Sequence, residues 1–307
     1  MSRQIDRRQF LVAAAAAPLA AHLGGTNADA ADEKPMLVDS HLHCFAGKDD
    51  SRFPYHERAA YRPDEPATPE HLLKCMDGAG VAYAVVVHPE PYQDDHRYLE
   101  HCLNVGGKRL KGTLLLFSDR PGSVEKLPDL VKRLAVVSAR IHAYAPDRLP
   151  PFGRPELRNY WKQATELGLA IQLHFEPRWA PGFEPLIKEF REARVIIDHM
   201  GRPLQGTPEE HAVVVRWSRF PNTIMKLSSL PAATTYPHRD IRPVIKQLTE
   251  AYGADRMIYG GGFDAKTTPE SYRAAFDRTR SFLDHLPPVD QAKILGGNAV
   301  RLFGFKT

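Results

Sequence analysis

The sequence predicts a (β/α)8 barrel, and three observations support this prediction. Eight short apolar segments alternate along the chain with eight segments of helical periodicity. Segments such as VAYAVVV at 81–87 are almost continuously apolar, which is typical of parallel strands buried on both faces. The first apolar segment is not followed by the G-x-G-x-x-G pattern of a doubly wound nucleotide-binding sheet, which is the main structural alternative.

The predicted elements follow one another from residue 36 onwards. Strands are expected at 36–45, 81–88, 110–117, 136–142, 169–175, 195–199, 223–228 and 257–259. Helices are expected at 69–80, with Thr68 as N-cap, and at 94–105, 124–134, 155–167, 184–192, 208–220, 241–252 and 269–285. The polar, proline-rich stretch 46–69 is long for a plain connection, so we expect a functional loop over a site.

Residues 1–30 have the features of an export signal. Arg7 and Arg8 precede an apolar run at 11–23, and the Ala-Asp-Ala sequence at 28–30 suits signal cleavage. The run is too short to span a bilayer, which needs about 20 residues. The pattern resembles a twin-arginine signal, and Asp6 argues against a mitochondrial presequence or a plain basic tail. We expect transient binding to the twin-arginine machinery, a barrel domain at 31–307, and a periplasmic or extracellular protein.

The net charge argues against a nucleic-acid-binding protein, and the cysteine spacing argues against a metal site built from cysteines. The formal net charge of +4 falls to +3 without residues 1–30, which is not the footprint of a nucleic-acid-binding protein. Cys44, Cys75 and Cys102 show no metal-binding C-x-x-C spacing, so we expect buried free thiols. The oligomeric state is not predicted.

Polar side chains mark the ends of the predicted strands, where barrel enzymes carry their chemistry. His41 and His43 are two positions apart on the first strand, so their imidazoles share one face and could bind one ion. Later strand ends carry His88, Arg140, His142, His174, Asp198, His199, Lys226, Ser228 and, after the last strand, Asp264. Each histidine alone is commonly a core or loop residue, but the joint placement favours a site.

Four segments carry a resemblance to a known family: VDSHLH at 38–43, IQLHF at 171–175, IIDHMGRP at 196–203 and ILGGNAVRLFGF at 294–305. Together they resemble branch 2 of the amidohydrolase superfamily, and most closely its group of lactonases for 2-pyrone-4,6-dicarboxylate and sugar acids. The resemblance implies a barrel of the metal-dependent hydrolase type. It also implies metal ligands at His41, His43 and His174, a catalytic aspartate after strand eight, and proton transfer by His199.

The residue types agree with that implied chemistry. Imidazoles with one carboxylate suit Zn²⁺, which lowers the pKa of a bound water, although some relatives need no metal. Asp198 is expected to orient a neighbouring histidine. Arg140 suits a substrate carboxylate, with a salt bridge inside the barrel as the equal alternative. The other candidates for substrate binding are His88, Tyr92, His142 and Lys226.

The turn after strand eight departs from the family pattern. Where relatives carry a G-S-D-x-P motif, this chain reads Gly260-Gly261-Gly262-Phe263-Asp264, which puts a glycine at the aspartate position. Glycine permits unusual backbone conformations, so we expect the turn to bulge and bring Asp264 to the site as general base. The alternative is a solvated loop residue.

These features together predict a hydrolase that opens a lactone or related ester of a small acidic or sugar-acid substrate. Two alternatives remain open at this stage: a decarboxylase on the same scaffold, and a metabolite-binding protein that has lost its catalytic base.

Overall fold

The computed structural model describes residues 36–144, 146–231 and 240–306. Eight strands lie side by side in chain order, and each hydrogen-bonded pair is parallel. They are β1 (Leu37–Leu42), β2 (Val81–Val87), β3 (Leu110–Leu115), β4 (Val136–Ala143), β5 (Ala170–Phe175), β6 (Val195–Ile197), β7 (Thr223–Leu227) and β8 (Met257–Tyr259). The Ser40 hydroxyl on β1 donates a hydrogen bond to the Tyr259 carbonyl on β8. The predicted (β/α)8 barrel is confirmed.

Helices follow every strand. They are α1 (Pro69–Ala79), α2 (Arg97–Gly106), α3 (Leu127–Arg133), α4 (Pro155–Glu166), α5 (Ala180–Glu189), α6 (Pro208–Arg216), α7 (Arg242–Tyr252) and α8 (Pro269–Ser281), with the short α9 (Pro288–Ala292) and α10 (Asn298–Phe303) at the end. Most predicted bounds hold within a few residues. The helix expected at 184–192 begins four residues earlier, because Pro181 in its first turn favours helix initiation there.

Local chemistry explains the first helix. The Thr68 hydroxyl accepts a hydrogen bond from the backbone N–H of His71 at 3.2 Å, so it caps the free N-terminal N–H groups as predicted. Gly80 ends the helix in the left-handed region with φ 73°, which glycine adopts without strain. Strand β2 starts immediately afterwards, at Val81.

The barrel interior changes from apolar to polar along the strands. Val38, Val85, Ile196 and Ile258 form an apolar cluster with α10 and the chain end after it. A polar network elsewhere in the interior includes the Thr113 and Ser138 hydroxyls, 2.6 Å apart. The Gln172 amide belongs to this network and donates to Asp198. The network therefore leads directly to the polar residues at the carboxyl ends of the strands.

Two further predictions concern the export signal and the cysteines. The signal at 1–30 lies outside the described residues. In the described ranges, no helix has the length and apolarity that a membrane crossing requires. The three cysteines are free and buried, as predicted.

Candidate active site at the carboxyl ends of the strands

Asp198 is the centre of the polar group inside the barrel mouth. It follows β6, and its side chain has no solvent exposure. Its Oδ2 accepts hydrogen bonds from Arg140 Nε at 3.1 Å and from Gln172 Nε2 at 2.9 Å. Its Oδ1 lies 3.1 Å from Lys226 Nζ and 3.4 Å from His41 Nδ1. Side chains from β1, β4, β5 and β7 thus converge on one carboxylate.

The surrounding cations keep this carboxylate charged. Burial alone would raise the pKa of Asp198, but the positive charges of Lys226 and Arg140, together with the contact from the His41 ring, hold that pKa well below its ordinary value. Burial lowers the pKa of Lys226 and of Arg140, and the charge of Asp198 opposes this shift. The three charged groups together carry one net positive charge, so the group favours a further anion.

Neither buried ring nitrogen of His41 makes a well-aligned hydrogen bond. Burial lowers the pKa of His41 well below its ordinary value, so the ring is neutral. Ligand atoms of His41, Asp198 and His199 lie within 4.8 Å of one another, close enough to hold one metal ion. Asp198 Oδ1 makes no well-aligned hydrogen bond, although Lys226 and His41 lie beside it. The mixed imidazole and carboxylate donors fit a divalent ion, which would replace these imperfect contacts.

His43 and His174, the other two expected ligands, have different surroundings. His43 Nδ1 lies 2.7 Å from the Val87 carbonyl, which can only accept, so Nδ1 carries the proton and Nε2 is free. Burial lowers the pKa of His43 to about 4. His174 Nε2 accepts hydrogen bonds from the Arg202 guanidinium, which also stacks over the Tyr144 ring at 4.8 Å. The lone pair that a metal would need on His174 Nε2 is therefore occupied.

His199 sits on a strained turn. Four consecutive residues, 199–202, have left-handed φ values of 54°, 58°, 66° and 52°, and only Gly201 adopts this region without cost. Strand β6 consequently ends at Ile197, two residues earlier than predicted. The Ser228 hydroxyl lies 2.8 Å from His199 Nδ1 and accepts the His199 backbone N–H at 3.2 Å. Such strain concentrates at functional sites, and here it places His199 and Arg202 on one wall.

A cavity of about 420 Å³ opens above this group. Cationic side chains dominate its charged lining, with Arg140, Arg148 and Arg202 against Glu90. The remaining polar and aromatic lining includes His41, His43, Tyr61, His142, Tyr144, His174, His199, Ser228 and Ser229. Tyr61 and Ala60 come from the long loop after β1, so that loop does cover the site as expected. The cavity suits a small anionic ligand.

The glycine turn after β8 packs against β1. A Cβ on Gly260 would lie 2.5 Å from the Cβ of His41, and one on Gly261 would lie 2.3 Å from the Tyr259 hydroxyl. The buried Asp39 carboxylate accepts the Gly261 N–H at 2.9 Å and the Tyr272 hydroxyl at 2.7 Å. The glycines therefore allow close approach to β1 rather than a bulge toward the cavity.

The expectation that Asp264 reaches the histidines does not agree with this structure. Asp264 is exposed, and its Oδ1 accepts the backbone N–H of Lys266 at 2.8 Å and the Thr267 hydroxyl at 3.0 Å. These contacts form a local turn ahead of α8. Because the glycine turn is held by Asp39, Asp264 stays outside the cavity.

Three expected substrate-binding residues lie behind the cavity wall. His88 is fully buried, and its Nε2 donates to the Gln93 carbonyl at 2.9 Å. The Tyr92 hydroxyl accepts the Ala46 N–H at 2.8 Å and so holds the start of the long loop. Lys226 is buried against Asp198. Each supports the wall, whereas Arg140 and His142 face the cavity as expected and Arg140 also forms the alternative salt bridge.

Sequence reasoning missed Glu90, Arg148 and Arg202 on the cavity wall. Arg202 follows Asp198 and His199 within the segment IIDHMGRP, so its position just after a strand end could have predicted that it lies at the site. Glu90 and Arg148 lie in short turns after β2 and β4. No simple sequence pattern predicts whether the side chains of such turns face the cavity.

A family model described as "Amidohydrolase" matches residues 38–305, which is nearly the whole described chain. The chain belongs to the amidohydrolase family. It is accordingly an enzyme of the hydrolase class, as expected from its motifs. The family match agrees with the barrel, with the polar strand ends and with the histidine and carboxylate group at the mouth.

Individual relatives extend the comparison. An L-fucono-1,5-lactonase of Burkholderia ambifaria is 27% identical over 290 residues, covering 87% of this chain and 94% of that protein. A probable 2-pyrone-4,6-dicarboxylic acid hydrolase of Acinetobacter baumannii, with citric acid bound, has a TM-score of 0.69 at 21% identity and covers 88% of this chain and 99% of that one. An amidohydrolase of Burkholderia multivorans with bound Zn has a TM-score of 0.69 at 14% identity. The match covers 88% of this chain and 100% of that one. These two structures support the fold.

Proposed function

We propose that this amidohydrolase is a lactonase that opens the cyclic ester of a sugar acid or another small acidic compound. The observation that carries the proposal is the cavity that Arg140, Arg148 and Arg202 line together with His41 and His199. The similarity to an L-fucono-1,5-lactonase supports the choice of ester chemistry.

Substrate anions would bind to the arginines. Arg202 is held in place by its contacts with His174 and Tyr144, and Arg140 by Asp198. Fixed guanidinium groups bind carboxylates with two parallel hydrogen bonds and also stabilise an oxyanion without reorganisation. Tyr61, 47% exposed at the cavity rim, offers an aromatic face to the substrate ring.

A divalent ion, which we propose to be Zn²⁺, would be held by His41, Asp198 and His199. When bound, it would lower the pKa of a water molecule and polarise the ester carbonyl. The ion would compete with the Lys226 ammonium for Asp198 Oδ1. The family resemblance implied His41, His43 and His174 as ligands. The set proposed here keeps only His41 of these, so His43 and His174 are available for other roles.

His43 is the proposed proton carrier, in place of Asp264 and of His199. Its Nδ1–H is committed to Val87, and the neutral ring leaves Nε2 able to accept a proton in the cavity. Water adds to the carbonyl carbon, and its proton passes through His43 to the ring oxygen as the carbon–oxygen bond breaks. The product is an open-chain hydroxy acid.

A lactone panel tests this proposal. Zinc-loaded enzyme is incubated with 1,4- and 1,5-lactones of sugar acids, and acid release, product mass and CO₂ are followed. We expect ring-opened acid without CO₂, and a loss of roughly a hundredfold in kcat for His43→Gln, the usual scale for a proton-transfer residue. The exposed His285→Gln is the control. Release of CO₂, or binding without turnover, would instead support a decarboxylase or a binding protein.

A further inference from the structure

A second cavity adjoins the first on the same face of the barrel. It measures about 690 Å³, and it shares Ala60, Glu90, His142 and Arg148 with the first cavity as lining residues. Its other walls come from the segment 116–121 after β3 and the segment 148–150 after β4. The shared residues form a common wall, so one ligand could extend from one cavity into the other.

Glu90 is the main polar residue of that common wall. The residue is 8% exposed, and its Oε2 accepts the Ala60 N–H of the long loop at 3.0 Å. Its Oε1 accepts the Gln93 amide at 2.6 Å and lies 3.7 Å from Arg148. Both carboxylate oxygens of Glu90 thus contact protein groups that carry positive charge or donate hydrogen bonds. These contacts reduce the repulsion between Glu90 and a bound anion.

The second cavity carries a preorganised cation. Arg120 lies 3.6 Å above the Phe117 ring and donates to Gln93 Oε1 at 2.8 Å. Arg58 and Arg148 also line this cavity, and the acidic side chains opposing them are Glu90 and the exposed Asp119. Three guanidinium groups against two carboxylates leave the charged lining of the cavity net positive, which favours an anion.

His142 connects the two cavities. It lines both, and its Nε2 is buried without a hydrogen-bond partner. An unpaired buried polar atom costs free energy, which a ligand hydroxyl at this position would recover. The middle of a bound molecule would therefore lie next to His142 Nε2, and the end of the molecule in the second cavity would lie next to the arginines there.

We propose that the second cavity binds an anionic group, a carboxylate or a phosphate, attached to the lactone held in the first cavity. The substrate class would then be lactones with an acidic extension rather than simple sugar lactones. This inference rests on the proposed lactonase function for the position of the ring. The second cavity itself can be tested by binding alone.

Isothermal titration of open-chain product acids provides that test. Gluconate and 6-phosphogluconate differ only in a terminal phosphate, and each is titrated into wild type, Arg120→Gln, Arg58→Gln and the exposed α6 variant Arg216→Gln. We expect wild type and Arg216→Gln to bind 6-phosphogluconate at least ten times more tightly than gluconate. The ratio should fall below about threefold in Arg120→Gln and should also decrease in Arg58→Gln.

Equal affinities in wild type, binding of neither acid, or a ratio that survives in both cavity variants would overturn the inference. Arg58→Gln keeps the test valid if Arg120→Gln fails to fold. Turnover on the lactone panel is measured separately, since its absence across the panel contradicts the lactonase proposal while the affinity ratio still reports on the second cavity.

Discussion

The Lys226 ammonium lies 3.1 Å from Asp198 Oδ1, and neither side chain has solvent exposure. This ion pair places a positive charge beside the same oxygen that faces His41. The pair keeps the carboxylate ionised in the absence of other ligands, and it makes Lys226 a direct competitor of any metal ion.

Replacing Lys226 by methionine should therefore strengthen zinc binding while weakening the fold. Loss of one partner from a buried ion pair typically costs about 3–5 kcal/mol, which a barrel of ordinary stability could survive. We expect a zinc Kd at least tenfold lower, measured by competition with a chelator, and a reduced free energy of unfolding in urea. The exposed Lys246→Met should change neither. Unchanged or weaker zinc binding in Lys226→Met would show that the two cations do not compete.

Asp264→Asn should leave lactone hydrolysis within about twofold of wild type. The Asp264 carboxylate is exposed and bonded to its own turn, so it contributes no proton transfer in the cavity. Steady-state kinetics on the best lactone of the panel check this expectation. A decrease of a hundredfold, the scale for a lost general base, would restore the role expected from the family resemblance.

The fold could be predicted from the sequence because periodicity and turn chemistry act locally. The apolar run at 81–87 and the Thr68 cap, for example, need no distant contact to be recognised. The residues that terminate strands were also recognisable, which brought His41, Arg140 and His199 into view.

The arrangement within the site could not be predicted in the same way. The contact between Arg202 and His174 was not predicted, because it depends on four left-handed residues in the turn 199–202. The position of Asp264 depended on whether Asp39 would hold the glycine turn, a contact across 222 positions of sequence. Both outcomes are set by tertiary packing that local patterns do not encode.

Stability should fall in mild acid, and a buried histidine pair should contribute to this loss in addition to the site histidines, whose pKa values burial also lowers. The His88 and His96 rings lie 4.3 Å apart, and burial lowers the pKa of both, that of His96 to about 4. A histidine whose pKa is lowered by folding contributes stability that is complete above its unfolded pKa of about 6.5 and is lost as the pH falls toward the folded value. Between pH 7.5 and 5, urea unfolding should show a loss of about 2 kcal/mol from His96 and a further loss in the same direction from His88.

Replacing His96 by glutamine, which retains an acceptor for the Leu115 N–H, should reduce this pH dependence. The exposed His285→Gln should preserve it. A pH dependence that is the same in His96→Gln and wild type would remove the pair as its source.

Residues 1–30 are proposed to direct export through the twin-arginine pathway. Mature protein recovered from the periplasm should start after Ala30, as read by mass spectrometry of the N-terminus. Changing both Arg7 and Arg8 to lysine should retain the chain in the cytoplasm, since this pathway depends on the arginine pair. Normal export of the double variant, with the same N-terminus, would mean that another signal operates.

We propose that His41, Asp198 and His199 form the reaction centre, with His174 held by Arg202 outside the ligand set. The most direct measurement is the zinc content per chain of wild type, His199→Ala and His174→Ala, determined by elemental mass spectrometry after loading and desalting. We expect about one zinc in wild type and in His174→Ala, and close to none in His199→Ala. Loss of zinc from His174→Ala with retention in His199→Ala, or no zinc in the wild type, would contradict it.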